Sequence, residues 1–327
     1  MGSSGSRPSG VVRPRHRIAR FRLWRAVTAA PAVIGSLLLL TLASGGLGRW
    51  AGLLLLTWAV CAAVLMTRVG ERITVRTACR FHRPGPRQAA ALKPAWATAL
   101  RMTGTKAGDV ELYVQTARVP NAYAAGGRSV AVTSLVLEDY ESGRLPEDQL
   151  VAVLVHELGH HATGAARPML LVSFLAAPWR LAASLLTGLA SILAGRQPRR
   201  GVAVVVVAGV VMAVARALHQ GQWVAGGVLA FVGLAALLCP LADAALSRRS
   251  EIAADRFAAD HGLALELAAA LHAIDDGRGV AAGWSRRLLA SHPTAEQRIC
   301  ALRAATESSS SGARLRPRAG IVTGRPG

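Results

Sequence analysis

Two long uncharged apolar runs near the amino terminus constrain this chain more than any other feature. Ala26 to about Gly48 carries no charged residue, and neither does Trp50 to Thr67. A run of roughly 20 apolar residues can cross a lipid hydrocarbon core. A backbone in lipid must satisfy its own hydrogen bonds, so each run is expected to be a helix and the two together a tight hairpin. A basic arm with Arg7, Arg13, Arg15, Arg17, Arg20, Arg22 and Arg25 and no acid precedes them. Net charge is +20, nearly all from arginine. The arginines cluster beside the apolar runs, as the inner flanks of a membrane protein do, so the expected partner is a lipid bilayer and not nucleic acid. Cys61, Cys79, Cys239 and Cys300 form no C-x-x-C pair, which points to a reduced compartment without a disulfide framework. Scarce lysine beside abundant Ala, Arg and Gly fits a GC-rich bacterial genome.

Between the apolar regions lies "VLVHELGHH", Val153 to His161. Pro146, Glu147 and Asp148 suit the first turn of a helix, and Gly164 suits its exit, so a helix is expected from about Pro146 to Ala162. Residues four apart share a helical face, so His156 and His160 can reach one ion. His161 is rotated by about 100° from His160 and is expected to be a polar neighbour, not a ligand. Glu157 follows the first histidine, and H-E-x-x-H on a helix is a zinc-protease signature, although five-residue patterns also recur by chance. Two histidines leave a tetrahedral zinc site short of one protein ligand and one water.

The best source of the missing ligand is "SRRSEIAADRFAAD", Ser247 to Asp260. Glu251 and Asp255 sit four apart on one helical face. Glu251 is expected to bind the ion, and Asp255 to accept the free N–H of a ligand histidine, fixing its tautomer. The same charges also suit a solvated helix face. Glu138, Glu141 and Asp260 are next in line as ligands.

With these residues in view, the chain resembles the HtpX-type membrane zinc metalloproteases, relatives of the CAAX prenyl endopeptidases. Four pieces match in order: "PNAYAAGG" (Pro120 to Gly127), "HELGH" (His156 to His160), "SRRSEIAAD" (Ser247 to Asp255) and "SHPTAEQRI" (Ser291 to Ile299). The second and third are specific in combination; the other two are softer. The resemblance implies His156, His160 and Glu251 as ligands of one Zn2+, Glu157 as general base, and an Asn121 amide directed into the cleft. Tyr123 stands where the family's aromatic is often Phe, and the membrane insert after the histidines holds an extra apolar segment. His292 is a candidate oxyanion stabiliser and Arg298 a supporting residue; the same stretch also reads as a plain helix start.

The fold expected is an α+β, zincin-like catalytic domain, mostly helical with a small antiparallel sheet, interrupted by and attached to transmembrane helices. Residues 1–25 form a disordered cytoplasmic arm, 26–67 a transmembrane hairpin, and 68–167 the first catalytic half. Residues 168–246 form a membrane insert, 247–305 the second catalytic half, and 306–327 a disordered tail. Val110 to Ala117 and Ser129 to Glu138 read as strands, with Gly126 and Gly127 turning the chain before the second. Ser129 to Val132 is the candidate edge for pairing with an extended substrate; a plain hairpin is the alternative. Four spans are expected, at about 26–48, 50–67, 201–219 and 221–243, with the termini and zinc site cytoplasmic. Residues 168–195, broken by "PWR" (Pro178 to Arg180), are expected along the inner membrane surface.

The activity expected is hydrolysis of peptide bonds in protein substrates, which the resemblance implies are membrane proteins, at the inner or plasma membrane. Zinc would polarise the scissile carbonyl while Glu157 takes a proton from water. Rival readings are an intramembrane protease, a CAAX-type prenyl-peptide protease, and a non-enzymatic membrane scaffold with a structural metal. The last has no need of Glu157.

Overall fold

The structure is a computed structural model that describes residues 14–46, 48–166, 169–193, 199–275 and 296–304. In chain order its elements begin with α1 (Pro14–Gly45), α2 (Ala51–Leu65), α3 (Arg68–Thr77), β1 (Phe81–His82) and α4 (Pro86–Thr103). There follow β2 (Glu111–Gln115), β3 (Ala122–Ala125), β4 (Ser129–Thr133), α5 (Ser134–Glu141) and α6 (Glu147–Ala162). Then come α7 (Met169–Leu175), α8 (Ala177–Leu193), α9 (Arg199–His219), α10 (Trp223–Asp260) and α11 (Ala264–Asp275). A last helix, α12, covers 296–304.

The helix that carries "HELGH" forms for the reasons its sequence suggests. Pro146 is its N-cap, Glu147 and Asp148 occupy the first turn, and His160 and His161 the last. Gly164 leaves it at φ +74°, a conformation glycine adopts without a Cβ clash. Every residue from Leu150 to Gly159 is buried. α6 is therefore the central element of the part of the chain around the sheet, packed against α4, α10, α11 and β3. Leu92, Val130, Val132, Leu150, Leu154 and Leu267 belong to the core around it.

The sheet differs from the expected antiparallel one. Its order is β1-β2-β4-β3, and β2 and β4 run parallel. The tight turn at Gly126, φ +59°, makes β3 and β4 an antiparallel hairpin. The chain leaving β2 crosses to the far side before β3 begins, so β4 returns between β2 and β3. Two expectations change with it. The strand expected from Ser129 to Glu138 stops at Thr133, and Ser134–Glu141 is helical. Buried Val136 and Leu137 lie beside half-buried Tyr140, a helical spacing hidden inside a short apolar run. The expected substrate edge, Ser129 to Val132, is an interior strand; the open edge beside α6 is β3.

Two described helices are long and apolar enough to cross a membrane, Leu23–Gly45 and Trp223–Asp260. A third is counted if Gly52–Leu65 and Arg68–Thr77, bent by 99°, form one broken span. The arm expected to be disordered to residue 25 is helical from Pro14. Residues 15–25 contain neither Gly nor Pro, and five of them are Arg, a good helix former, so nothing stops the helix from extending outward. The segment 168–195 breaks at Ala176, just ahead of Pro178. Phe174 stacks on Trp58 of α2, and the Trp179 N–H donates to Ser36 Oγ in the middle of α1 at 3.1 Å. Trp179 also covers Gly35, where any side chain would collide with its ring. These aromatic contacts pack the segment against α1 and α2.

Candidate metal centre and peptidase site

α6 and α10 cross where the motif lies. Donor atoms of His156, Glu157 and His160 fall within 4.8 Å of one another. From α10, the Glu251 carboxylate reaches both histidines: Oε2 lies 3.4 Å from His156 Nε2, and Oε1 lies 3.6 Å from His160 Nε2. Two ligands at 2.0–2.2 Å from a tetrahedral ion lie about 3.3–3.6 Å apart, so this donor set fits zinc. The imidazoles stand edge to face, with centroids 4.9 Å apart. Close helix packing brings the two halves together. Gly159 faces α10, and a Cβ there would meet Phe257 at 3.1 Å and the Ala254 Cα at 3.2 Å.

A second ring of contacts orients the first. Asp255 Oδ1 lies 2.9 Å from His156 Nδ1, leaving Nε2 turned toward Glu251. Arg298 grips Asp255 with both ends of its fork, Nε to Oδ2 at 2.9 Å and Nη2 to Oδ1 at 2.6 Å. Its Nη1 also approaches Glu251 Oε2 at 3.5 Å. A bidentate guanidinium–carboxylate pair gives direction as well as strength. His160 has its own partner, Ser250 Oγ, 3.1 Å from Nδ1. Sequence reasoning missed Ser250; its signal was a small polar residue next to the candidate ligand on a helix. His161 turns away from the metal cluster, and its Nε2 lies 3.2 Å from the Ser129 carbonyl.

Burial and neighbouring charge separate the titration of these groups. Burial disfavours a charged His156, but the hydrogen bonds it donates to the Asp255 and Glu251 carboxylates outweigh it and push the imidazole up to about 9. Burial, reinforced by the charge of His156, holds His160 down to about 3. Burial pushes Glu157 up to about 7 against the attraction of His156. A carboxyl group near neutrality can both take and return a proton. For Arg298, burial opposes the charge, and the Asp255 carboxylate overcomes it and keeps the guanidinium ionised.

The site opens into a cavity of about 370 Å³ lined by both helices and by β3. In the β3–β4 hairpin the Thr133 N–H donates to the Asn121 carbonyl, which turns the backbone groups of Ala122 and Ala124 to the open edge. Ala124 of β3 and Glu157 line this cavity together, and the Ala124 backbone draws the Glu157 carboxyl partly back down against the push of burial. Asn121 lines the cavity, but its side-chain oxygen accepts from the Ala122 N–H at 3.0 Å. His292 lies outside the described residues.

A buried H-E-x-x-H pair, a third carboxylate from a separate helix and a strand edge alongside define a metallopeptidase type of site. Residues 86–306 match the family model described as Peptidase family M48, and the chain belongs to that family. Among solved structures it is similar to Ste24p of S. mikatae, with 16% identity and a TM-score of 0.44. That alignment covers 87% of this chain and 66% of the other. A comparison with curated protein sequences found no match.

Proposed function

We propose that this chain is a membrane-embedded, zinc-dependent endopeptidase of HtpX type, acting on membrane proteins in quality control at the cytoplasmic face of the inner or plasma membrane. One observation carries the reading: the Glu157 carboxylate is buried between two histidines that share Glu251, in a cavity that the open strand edge at Ala122 to Ala124 also lines. His156, His160 and Glu251 would hold the ion, with Asp255 fixing the His156 tautomer and Arg298 fixing Asp255. A zinc ion there supplies Lewis acidity toward the scissile carbonyl and acidifies water. Glu157 takes the proton from water and hands it to the departing amine. An extended substrate pairs along Ala122 to Ala125, so its backbone passes Glu157. The proximity of a buried carboxylate to the cluster disfavours a merely structural metal.

In this reading the spans fall at about 26–48, 50–67, 201–219 and 221–243. Arginine at positions 196, 199 and 200 supports a cytoplasmic placement of the segment before the third span. The test uses full-length protein in detergent with zinc, and casein as substrate. Wild type cleaves it, while Glu157→Gln keeps about one zinc per chain and loses nearly all cleavage. Casein cleavage by that variant at the wild-type rate would sink the proposal. The same variant, used to trap bound chains in cells, identifies the substrates.

A further inference from the structure

We propose that α3 is a membrane-surface helix that seats on anionic phospholipid headgroups and, through Glu71, holds the substrate-pairing edge β3 in register. The inference rests on the peptidase reading above for its last step and on the membrane helices for its first.

The corner that places α3 is sharp. α2 and α3 meet at 99°, with Thr67 as the N-cap, its Oγ1 accepting from the Gly70 N–H at 3.1 Å. A Cβ on Gly70 would stand 2.0 Å from the Val64 carbonyl oxygen, so only glycine permits the turn. A helix at right angles to the end of an apolar run lies along the bilayer surface.

Its two faces differ. Outward, Val69 is 62% exposed and Ile73 54%, one helical turn apart, following Met66 at 74%. Arg68, Arg72 and Arg76 flank them, all exposed; Arg72 also pairs with Glu111. Apolar residues at the interface with arginines beside them match the chemistry of an anionic headgroup layer. The apolar strip continues that of α2, so the surface is an extension of the lipid-facing one. Inward, Val75 is wholly buried against Phe81, Tyr113 and Ala131.

Glu71 is the inward polar residue, and it grips the β3–β4 turn. Its Oε2 accepts from the Gly127 N–H at 3.0 Å; its Oε1 accepts from the Arg128 N–H at 2.8 Å and from Ser129 Oγ at 3.1 Å. The fit is close: a Cβ on Gly126 would lie 2.5 Å from the Glu71 carboxyl carbon. His161 holds the same turn from the other side through the Ser129 carbonyl. The turn fixes the start of β4 and the end of β3, and β3 brings Ala124 to the cavity that Glu157 lines. Glu71 touches no reacting atom; it is a positioning residue, linking the lipid surface to the strand that receives substrate.

The test places full-length protein in nanodiscs of phosphatidylcholine with or without phosphatidylglycerol, and follows cleavage of an extended protein substrate. Phosphatidylglycerol is expected to lower the wild-type KM about tenfold with little change in kcat, a signature of positioning and not of chemistry. The double variant Arg68→Gln/Arg76→Gln loses that response. Glu71→Ala raises KM about tenfold, and Glu71→Gln, which keeps one acceptor oxygen, raises it less. Neither Glu71 variant responds to phosphatidylglycerol. Separately, a fluorescent label on Val69→Cys, with native cysteines replaced by serine, reports lipid contact. It is read in a Glu157→Gln background, so it is independent of catalysis. A label equally water-exposed in both lipids overturns the proposal, as does a full lipid response in Glu71→Gln. Wild-type protein that cleaves nothing in either lipid overturns the peptidase reading and the coupling through Glu71 with it, while the label still decides the lipid contact.

Discussion

The two ends of α10 place their side chains in opposite ways. Along its first half the large apolar residues face outward, with Val224 82% exposed, Leu234 58% and Leu238 52%. Past Ser247 the pattern inverts: Ser250, Glu251, Ala254, Asp255 and Ala258 are all buried. One continuous helix thus has two kinds of surroundings. In the first, the large apolar side chains are left uncovered by the rest of the chain, an arrangement that suits lipid and not water. In the second, the small residues let α6 and α11 close in, and the polar ones are matched by partners from those neighbours and from α12. Hydropathy marks the same divide, since 223–246 holds one charged residue, Asp243, while 247–260 holds six, and exposure of the large side chains follows it.

The largest effect expected from this contrast is at Glu251, just inside the buried half. Glu251→Ala should reduce bound zinc from about one per chain to background and abolish cleavage, since a two-histidine site holds metal weakly. Metal analysis showing full zinc would move the ligand elsewhere, with Glu138, Glu141 and Asp260 then to be tried. Glu157→Gln should cut kcat/KM by about 10²–10⁴ while zinc stays, which separates the base from the ligands.

Stability should follow the same divide. Leu150, wholly buried in α6, should cost about 2–5 kcal/mol when truncated to Ala. Leu42, 76% exposed on α1, should cost under about 0.5 kcal/mol. Urea titrations of both variants in the same detergent test this; equal losses would mean that α1 is packed as tightly as the catalytic core. Asp255→Asn should weaken zinc affinity about 10–100-fold without abolishing it, as loss of a ligand's orienting partner does. Zinc titration against a competing chelator reads the shift, and an unchanged affinity would remove Asp255 from the metal centre.

The smallest effect is a proton count. In metal-free protein the two carboxylates keep His156 protonated up to about 9. Zinc binding at pH 8 must therefore displace a proton from it, and that release should fade as the pH rises above about 9. Calorimetry in buffers of different ionisation enthalpy measures it. A constant release between pH 8 and 10 would show that His156 is already neutral.

Much of the site was legible in the chain. The four-residue spacing of His156 and His160, and of Glu251 and Asp255, is a geometric statement about helices, and it needs no tertiary information. The family likeness then joined the two stretches. Strand order was not legible, because whether β4 pairs with β2 or forms an outer edge depends on how the chain crosses between them, and no local pattern records that. The end of β4 was hidden for another reason: Leu135 to Leu137 is too short a run to distinguish period 2 from period 3.6. The anchoring of residues 168–195 rests on Trp179 finding Ser36 and Gly35, a match between distant residues. Ser250 was passed over because a serine beside two arginines resembles a solvated surface until the packing partner is known.

The packing of Gly159 carries a consequence for how the motif is understood. The two middle positions of H-E-x-x-H are usually treated as blanks. Here one of them is a spacer whose lack of a side chain lets Phe257 and Ala254 approach to 3.1 and 3.2 Å of its vacant Cβ position. The span of the ligand cage, from the histidines on one helix to Glu251 on the other, is therefore a dimension of the helix interface. It is determined by a residue that binds nothing.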